Sequence, residues 1–246
     1  MSEIIKTEAV TLSKINYGDT SLILKLFTKD YGKMSVILKG ARSPKSKLGA
    51  SADTLNYVDV VFYFKENREM QLVSQIEIIN HFTALREDYE KMKYAAAATE
   101  AVERFTAEHE VYPLIFKGFV RILKLIDEEK IPPELLFIKF LIFLIKEIGY
   151  EFHLTNCSVC GKNIDVNEAA AFTVNQGLVC RSCSGSLSSV YQLNAELLKI
   201  FNGISNRSEK IECSLPALTK MIQLLEKYLM FQMPEFGGFK TFKLFG

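Results

Sequence analysis

The chain has 246 residues, of which 48% are hydrophobic and 24% are charged, which is ordinary for a soluble globular protein with a real core. Its length allows one large domain or two to three small ones. Its 30 Lys and Arg residues against 29 Asp and Glu residues leave a net charge of +1. This balance excludes a generally basic protein, so any basic surface must be local and offset elsewhere.

Neither an export signal nor a membrane anchor is expected. The first residues, MSEIIKTEAV, lack the basic region and apolar run of a secretory signal. The most apolar stretch, Leu135 to Ile145, is too short to span a bilayer and carries Lys139 near its centre. We therefore expect a soluble cytoplasmic protein in which the five cysteines do not form disulfides.

Residues 3 to 80 are predicted to form five β-strands. Side chains in these segments alternate with the period of two that is typical of half-buried strands. Five short antiparallel strands predict a small closed barrel of the OB-fold type, with an SH3-like barrel as the alternative. The predicted strands are EAVTLSKI, TSLILKLF, KMSVILK, YVDVVFYFK and MQLVSQIEII.

A basic loop separates the third and fourth predicted strands. From Tyr31 to Ala50 the chain has five basic residues and no acidic residue. Loops between strands frame the nucleic-acid groove of OB barrels, so this charge favours phosphate binding over a merely solvated loop, which is the alternative. Phe27 and Tyr31 are candidate base-stacking residues on the same surface, with Tyr17 and Tyr57 nearby. The predicted DNA-binding residues are Lys33, Lys39, Arg42, Lys45 and Lys47.

By strand periodicity, Lys33 and Lys39 share the outer face of the third strand with Ser35 and Ile37. Residues two apart along a strand point to the same side of the sheet. We therefore expect these two lysines to extend the positive surface from the loop onto the barrel.

Helical periodicity begins after His81. Helices with apolar residues over most of their surface must pack on one another, so we expect one helical domain that is interrupted after Gly149 and resumes after residue 190. Its predicted segments are LREDYEKMKYAAAATEAVERF, YPLIFKGFVRILKLI, PPELLFIKFLIFLIKEIG, NAELLKIFNGI and PALTKMIQLLEKYLMFQM.

The interruption carries two Cys-x2-Cys pairs, Cys157 with Cys160 and Cys180 with Cys183. This spacing is typical of zinc ribbons, in which two tight turns aim four sulfurs at one ion. A closed shell of four thiolates indicates one structural zinc, which we expect the insertion to need because it has little apolar content. A dithiol redox site and two disulfides are the alternatives. Cys213 is expected to be a packed thiol.

Two further features belong to the same reading of the insertion. A hairpin is predicted between the cysteine pairs, turning at Asn175-Gln176-Gly177. Gly161 follows the first pair and is expected to relieve the backbone of its turn.

No catalytic motif is present in the sequence. The three histidines share no motif, and there is no phosphate-binding G-x-x-x-x-G-K-[ST] loop, no G-x-S-x-G turn and no H-E-x-x-H helix. We therefore predict that the protein is not an enzyme.

The order of these parts resembles the DNA repair protein RecO family over essentially the whole chain. The resemblance and the patterns above predict an α+β, multidomain protein: an OB-fold DNA-binding domain at 1–80, a helical domain at 81–150, a zinc-binding insertion at 151–190, and the second helical part with the tail at 191–246. The residues that carry it are Lys39-Gly40-Ala41-Arg42, Pro44, Lys45, Lys47, Leu72, Glu77-Ile78-Ile79, Cys157, Cys160, Cys180, Cys183 and Phe239-Lys240-Thr241.

The resemblance implies a non-enzymatic recombination mediator of the RecF pathway that works in the cytoplasm at the nucleoid. Members of the family bind single- and double-stranded DNA and anneal complementary strands. They act with RecR and the single-stranded-DNA-binding protein, and they help to load the RecA recombinase. Two alternatives are a zinc-ribbon enzyme acting on nucleic acid through an unrecognised site and a scaffold protein that does not bind DNA.

Overall fold

The computed structural model describes residues 3–46, 48–128, 130–185, 187, 190–208 and 210–245. The chain divides into two compact units, Met1–Glu129 and Lys130–Gly246. The boundary falls inside the segment 81–150 that the sequence assigns to one helical domain, so the helices of that segment are shared between the units. The four predicted domain ranges stay a prediction.

Five strands of the first unit form a closed barrel in the order β1-β2-β3-β5-β4. All neighbours are antiparallel except β3 and β5, which are parallel. Strand direction alternates along the chain, so the third and fifth strands run the same way and closure pairs them in parallel. The predicted OB-fold barrel is confirmed. The strands are β1 (Glu3–Tyr17), β2 (Ser21–Thr28), β3 (Gly32–Leu38), β4 (Tyr57–Phe64) and β5 (Met70–Asn80).

The barrel interior is filled by the apolar positions of the alternating strands. Leu22, Leu24 and Leu26 of β2 are buried, and in the β2–β3 register they lie opposite Leu38, Val36 and Met34, which are also buried. Closure leaves no open sheet edge between these strands, so every inward side chain meets another one.

Helices of the first unit cover part of the outside of this barrel. Phe116 and Phe119 of α4 lie with their ring centroids 5.9 Å and 6.3 Å from that of Phe27 on β2. Asp88 caps α3 by accepting a hydrogen bond from the Lys91 backbone N–H. The helices of this unit are α1 (Leu48–Ser51), α2 (Thr83–Glu87), α3 (Tyr89–Phe105) and α4 (Pro113–Glu128).

The connection between α3 and α4 runs along the start of β3. The backbone N–H of His109 donates to the Lys33 carbonyl at 2.8 Å, and Glu108 forms a parallel bridge with Lys33. Gly32 has φ +65°, and a Cβ atom on it would lie 2.0 Å from the Glu110 carbonyl oxygen. The close approach therefore requires glycine at this position.

The second unit combines helices with a small sheet of order β7-β6-β8. Asn194 and Ser214 cap α7 and α8 through their side chains, and α5 packs against α8. Of the strands, β6 and β7 form the hairpin that the sequence predicts, whereas β8 is additional. The elements are α5 (Pro133–Glu147), β6 (Ala170–Thr173), β7 (Gly177–Cys180), α6 (Arg181–Ser184), β8 (Val190–Leu193), α7 (Ala195–Ser205), α8 (Leu215–Gln232) and α9 (Lys240–Leu244).

A cluster of aromatic rings packs the small sheet against the helices of the second unit. Phe172 of β6 stacks on Phe201 of α7 with ring centroids 5.9 Å apart, and Phe152 lies 5.2 Å from Phe172 and 4.9 Å from Tyr228 of α8. The low apolar content expected for the insertion is therefore not its whole packing, because helices outside the insertion contribute apolar side chains that contact its sheet. Its sheet shares the core of the second unit.

The aromatic tail also belongs to the core of the second unit. Phe239 is fully buried, and its ring centroid lies 5.6 Å from that of Phe137 on α5. None of the helices in the described ranges is long and apolar enough to cross a membrane.

Candidate metal centre and nucleic-acid interface

The two cysteine pairs converge on one point in the second unit. The sulfur atoms of Cys157, Cys160, Cys180 and Cys183 all lie within 4.8 Å of one another. All five cysteines are among the described residues, and none of them forms a disulfide. The Cys160 and Cys180 sulfurs are 3.8 Å apart, far beyond the 2.05 Å of a disulfide bond.

The spacing of the sulfurs fits a tetrahedral metal ion. Zinc–sulfur bonds of about 2.3 Å place neighbouring sulfurs of a tetrahedron about 3.8 Å apart. The separation of Cys160 and Cys180 matches that edge. Cys157 and Cys180 are buried, whereas Cys160 is exposed, so the cluster lies at the surface of its unit. The four residues can hold one metal ion with no position left for water.

Local backbone bonds form the turn that carries the first pair. The Cys157 N–H donates to the Lys162 carbonyl and the Gly161 N–H to the Cys157 carbonyl, both at 2.8 Å. Gly161 has φ +74°, which confirms that the turn uses the conformational freedom of glycine here. The Ser158 N–H donates to the Leu178 carbonyl of β7 at 2.8 Å, which brings the first pair to the second.

Cysteines of the cluster differ in the pKa of their thiols. Burial opposes ionisation of Cys157, but backbone N–H donors of Cys180, Cys160 and Val159 outweigh it and lower its pKa to about 6. Hydrogen bonding to the Cys180 sulfur is the main reason that the pKa of Cys183 is raised to about 12. Because thiolates are the ligand form, a bound cation would displace these shared protons.

The basic loop presents its charges to solvent. Lys39, Arg42 and Lys45 are exposed, and none of the three makes an ion pair with another described residue. Lys47 lies outside the described residues. A cluster of cations without counter-charges attracts anions, and phosphates are the anions that such a loop favours.

Arg42 also connects the loop to the turn between β1 and β2 by two hydrogen bonds. Its backbone N–H donates to the Thr20 carbonyl at 2.8 Å, and its guanidinium Nη1 donates to the Gly18 carbonyl at 3.1 Å. Ala41 beside it is buried. The start of the loop is therefore held against the barrel.

Lys33 does not belong to this exposed surface. It is only 5% exposed, and its Nζ donates to the carbonyls of Glu103 at 2.6 Å and Thr106 at 2.7 Å. Burial is the main reason that its pKa is lowered, and Glu108 acts in the opposite direction. The expectation that Lys33 extends the basic surface is wrong, because the end of α3 covers this side of the barrel.

Lys33 is expected to stabilise the fold instead. Lys33→Met leaves two carbonyls without their donor, and a hydrogen bond to a charged group contributes about 1.5–3 kcal/mol. We expect the free energy of unfolding to fall by about 3 kcal/mol, as measured by urea unfolding. The matched variant Lys39→Met changes an exposed side chain and should shift it by less than about 0.5 kcal/mol. Equal unfolding midpoints for the two variants would contradict a structural role for Lys33.

The two predicted base-stacking residues pack inside the first unit. Phe27 is fully buried against α4. Tyr31 is half-buried, and its ring centroid lies 5.9 Å from that of Phe62 and 6.0 Å from that of Phe64. The expectation that Phe27 stacks on bases is therefore wrong, whereas base stacking by the partly exposed ring of Tyr31 stays a prediction.

Two family models match most of the chain. "Recombination protein O N terminal" matches residues 1–82, and "Recombination protein O C terminal" matches residues 86–236. The chain belongs to the RecO family. The N-terminal RecO model spans the barrel with its basic loop, and the C-terminal RecO model spans the four cysteines, so both candidate sites lie within matched regions.

Several proteins named DNA repair protein RecO are similar to the chain, each over a different share of its length. The DNA repair protein RecO of Alkaliphilus metalliredigens is 32% identical over 231 residues, covering 92% of this chain and 93% of the relative. That of Prosthecochloris aestuarii is 33% identical over 159 residues, covering 65% of this chain and 60% of the relative. That of Salinibacter ruber is 39% identical over 120 residues, covering 49% and 46%.

Proposed function

We propose that this RecO-family chain is a DNA-binding recombination mediator that anneals complementary strands and helps to load the RecA recombinase during recombinational repair. One observation carries the proposal: Lys39, Arg42 and Lys45 are exposed on an OB barrel and make no ion pair within the described part of the chain. With Lys47 they supply up to four phosphate contacts.

The mechanism is electrostatic and needs no bond-making step. Two complementary strands repel one another through their phosphates, and cations on the loop lower that repulsion while they release condensed counterions. Phosphate contacts hold a strand without reading its sequence, so base pairing alone selects the partner strand. The proposed mediator is therefore not an enzyme and consumes no nucleotide.

The proposed partners follow from membership of the RecO family. They are single- and double-stranded DNA, RecR and the single-stranded-DNA-binding protein. A mediator of repair of this kind would work in the cytoplasm at the nucleoid. The barrel with its basic loop is the proposed DNA-binding domain, and the cysteine-bearing segment at 151–190 is the proposed metal-binding insertion.

We propose zinc as the metal of the cysteine cluster, one ion per chain. Four thiolates in a closed shell are typical of structural zinc, and such an ion supplies folding energy rather than reactivity. Cys157 and Cys160 would hold it from the first turn, and Cys180 and Cys183 from the end of β7 and from α6.

An annealing assay tests the proposed function. Two complementary oligonucleotides, one labelled with a donor and one with an acceptor dye, are mixed with the protein in a buffer without nucleotide. We expect annealing to be faster than the spontaneous rate and to be unchanged by added ATP. A requirement for a hydrolysable nucleotide would overturn the mechanism.

A mobility-shift assay at two salt concentrations separates the alternatives. A scaffold that does not bind DNA would give no shift at either concentration. An enzyme acting on nucleic acid would bind and then change the length or the chemistry of the oligonucleotide. The proposed mediator should bind more weakly at the higher salt concentration and return both strands unaltered.

A further inference from the structure

The end of β1 and the start of β2 form an exposed apolar surface. Ile15 lies opposite Ile23 in the β1–β2 register, and Tyr17 lies opposite Ser21. Ile15 is 63% exposed and Tyr17 is 47% exposed. Paired residues, and residues two apart along a strand, share one face of a sheet. Since Leu22 points into the barrel core, Ile15 and Tyr17 lie on the outer face.

The same face continues across β3 towards the basic loop. Ile23 lies opposite Ile37, so Ile15, Ile23 and Ile37 form an apolar row. Lys39 follows Ile37 by two residues, directly after the end of β3, where Leu38 pairs with Leu22. Tyr17 pairs with Ser21, the residue next to Leu22, so Lys39 follows β3 at the end of the sheet that carries Tyr17.

Arg42 brings a second cation to the hairpin. Its guanidinium donates to the carbonyl of Gly18, the residue that follows Tyr17, at 3.1 Å. An exposed tyrosine therefore lies at the same end of the sheet as an apolar row and two cations that make no ion pair with another described residue. Proteins that hold single strands combine basic tracks for the phosphates with aromatic rings for the bases.

On the basis of the proposed function, we infer that Tyr17, supported by Ile15, stacks on unpaired bases of single-stranded DNA whose phosphates contact Lys39 and Arg42. A duplex offers no free base faces along its length, because each base is already stacked and paired. The hairpin therefore adds affinity for single strands alone, while the loop binds both forms. The sequence places Tyr17 near the expected stacking residues, and in the structure the Arg42 side chain brings the basic loop to the residue next to it, Gly18.

Tyr57 and Tyr63 of the barrel do not combine an exposed ring with a position beside the basic loop. Tyr57 is buried, and its hydroxyl donates to the Glu8 carboxylate. Tyr63 is 38% exposed but lies opposite Ile4, at the other end of β1 from the hairpin. Tyr63 is therefore a matched control: it is an exposed tyrosine on the same barrel, far along β1 from the hairpin.

The test compares Tyr17→Ala, Tyr17→Phe and Tyr63→Ala. We expect Tyr17→Ala to weaken binding of an oligo(dT) strand about tenfold, because one base loses the aromatic ring on which it stacks. Duplex affinity and the dependence of log affinity on log salt concentration should stay unchanged, since no cation is lost. Tyr17→Phe keeps the ring and should bind within about twofold of the parent protein, as should Tyr63→Ala.

An abasic oligonucleotide of the same length gives an independent readout. It keeps the phosphates and lacks the bases, so the parent protein and Tyr17→Ala should bind it equally. Equal affinity of Tyr17→Ala and the parent for oligo(dT), or an equal loss for single strands and duplex, would overturn the stacking site and leave the proposed function intact. Failure of the parent protein to bind any DNA would overturn both.

Discussion

Cys157→Ser is expected to open the segment 153–169 to trypsin while the helices of the second unit stay folded. Structural zinc binds zinc-finger peptides with an apparent free energy of about 10–16 kcal/mol, as much as the whole stability of a typical domain. Cys157 is a buried member of the four-cysteine cluster, and its loss leaves three sulfurs. The turn from Cys157 to Lys162 would then be held mainly by a few backbone hydrogen bonds.

Trypsin reports this opening at defined positions. Lys162 and Arg181 are the lysine and arginine residues between 151 and 190. Both side chains are exposed, so protection in the parent protein would come from the rigidity of the chain around them. We expect cleavage after Lys162 first, because the aromatic cluster around Phe172 keeps β6 on the helices without metal. Mass spectrometry of the fragments identifies the site.

Two controls accompany this measurement. Cys213→Ser changes a cysteine outside the cluster, one whose sulfur donates to the Ile211 carbonyl, and should leave the cleavage pattern of the parent unchanged. Chelation of the parent protein should reproduce the pattern of Cys157→Ser, and elemental analysis should find about one zinc per chain. A chelated protein that keeps full protection would show that the cluster folds without metal.

Replacing Lys39, Lys45 and Lys47 together by alanine is expected to flatten the salt dependence of DNA binding. Each phosphate neutralised on a single strand contributes about −0.7 to the slope of log affinity against log salt, so three lost contacts should change it by about 2 units. Adding Arg42→Ala should bring the change to about 3 units. Binding should weaken most at low salt and equally for every sequence, since phosphate contacts do not read bases.

Arg42 is best changed last, because it also donates to the Gly18 carbonyl and holds the loop. A matched control replaces Lys199, Lys210 and Lys220, which are exposed lysines of the second unit, and alters the net charge by the same amount. We expect this control to keep the parent slope. Thermal unfolding should be nearly unchanged for the loop lysines, because they are exposed. A loop variant with the parent slope would show that the loop is merely solvated.

The strands and the cysteine cluster were predictable because their signals are local. Alternation of side chains along β2 follows directly from the pleat, and the predicted segment TSLILKLF differs from the observed Ser21–Thr28 by one residue at each end. Two residues between cysteines set the size of a turn, whichever domain carries it. The extra strand β8 was not predictable in this way, since its four residues gain their structure from pairing with β6.

Strand periodicity predicts that Lys33 and Phe27 lie outside the barrel core, but it cannot predict whether another element covers the outer face. In the fold, α4 packs over Phe27, and the end of α3 supplies carbonyls to Lys33, from residues about 70 or more positions away in the chain. These contacts turn an expected stacking residue and an expected DNA ligand into parts of the fold.

The sequence by itself predicted the strands of the OB barrel, the four cysteines of the cluster and the position of the basic loop between two strands, because each has a signal that spans only a few residues. Tertiary structure alone decided which aromatic and basic side chains meet solvent. Phe27 and Lys33 are covered by distant helical segments, whereas Tyr17 stays exposed beside Arg42. Burial of an outward side chain depends on long-range packing, and that packing is not encoded in the local period of a strand.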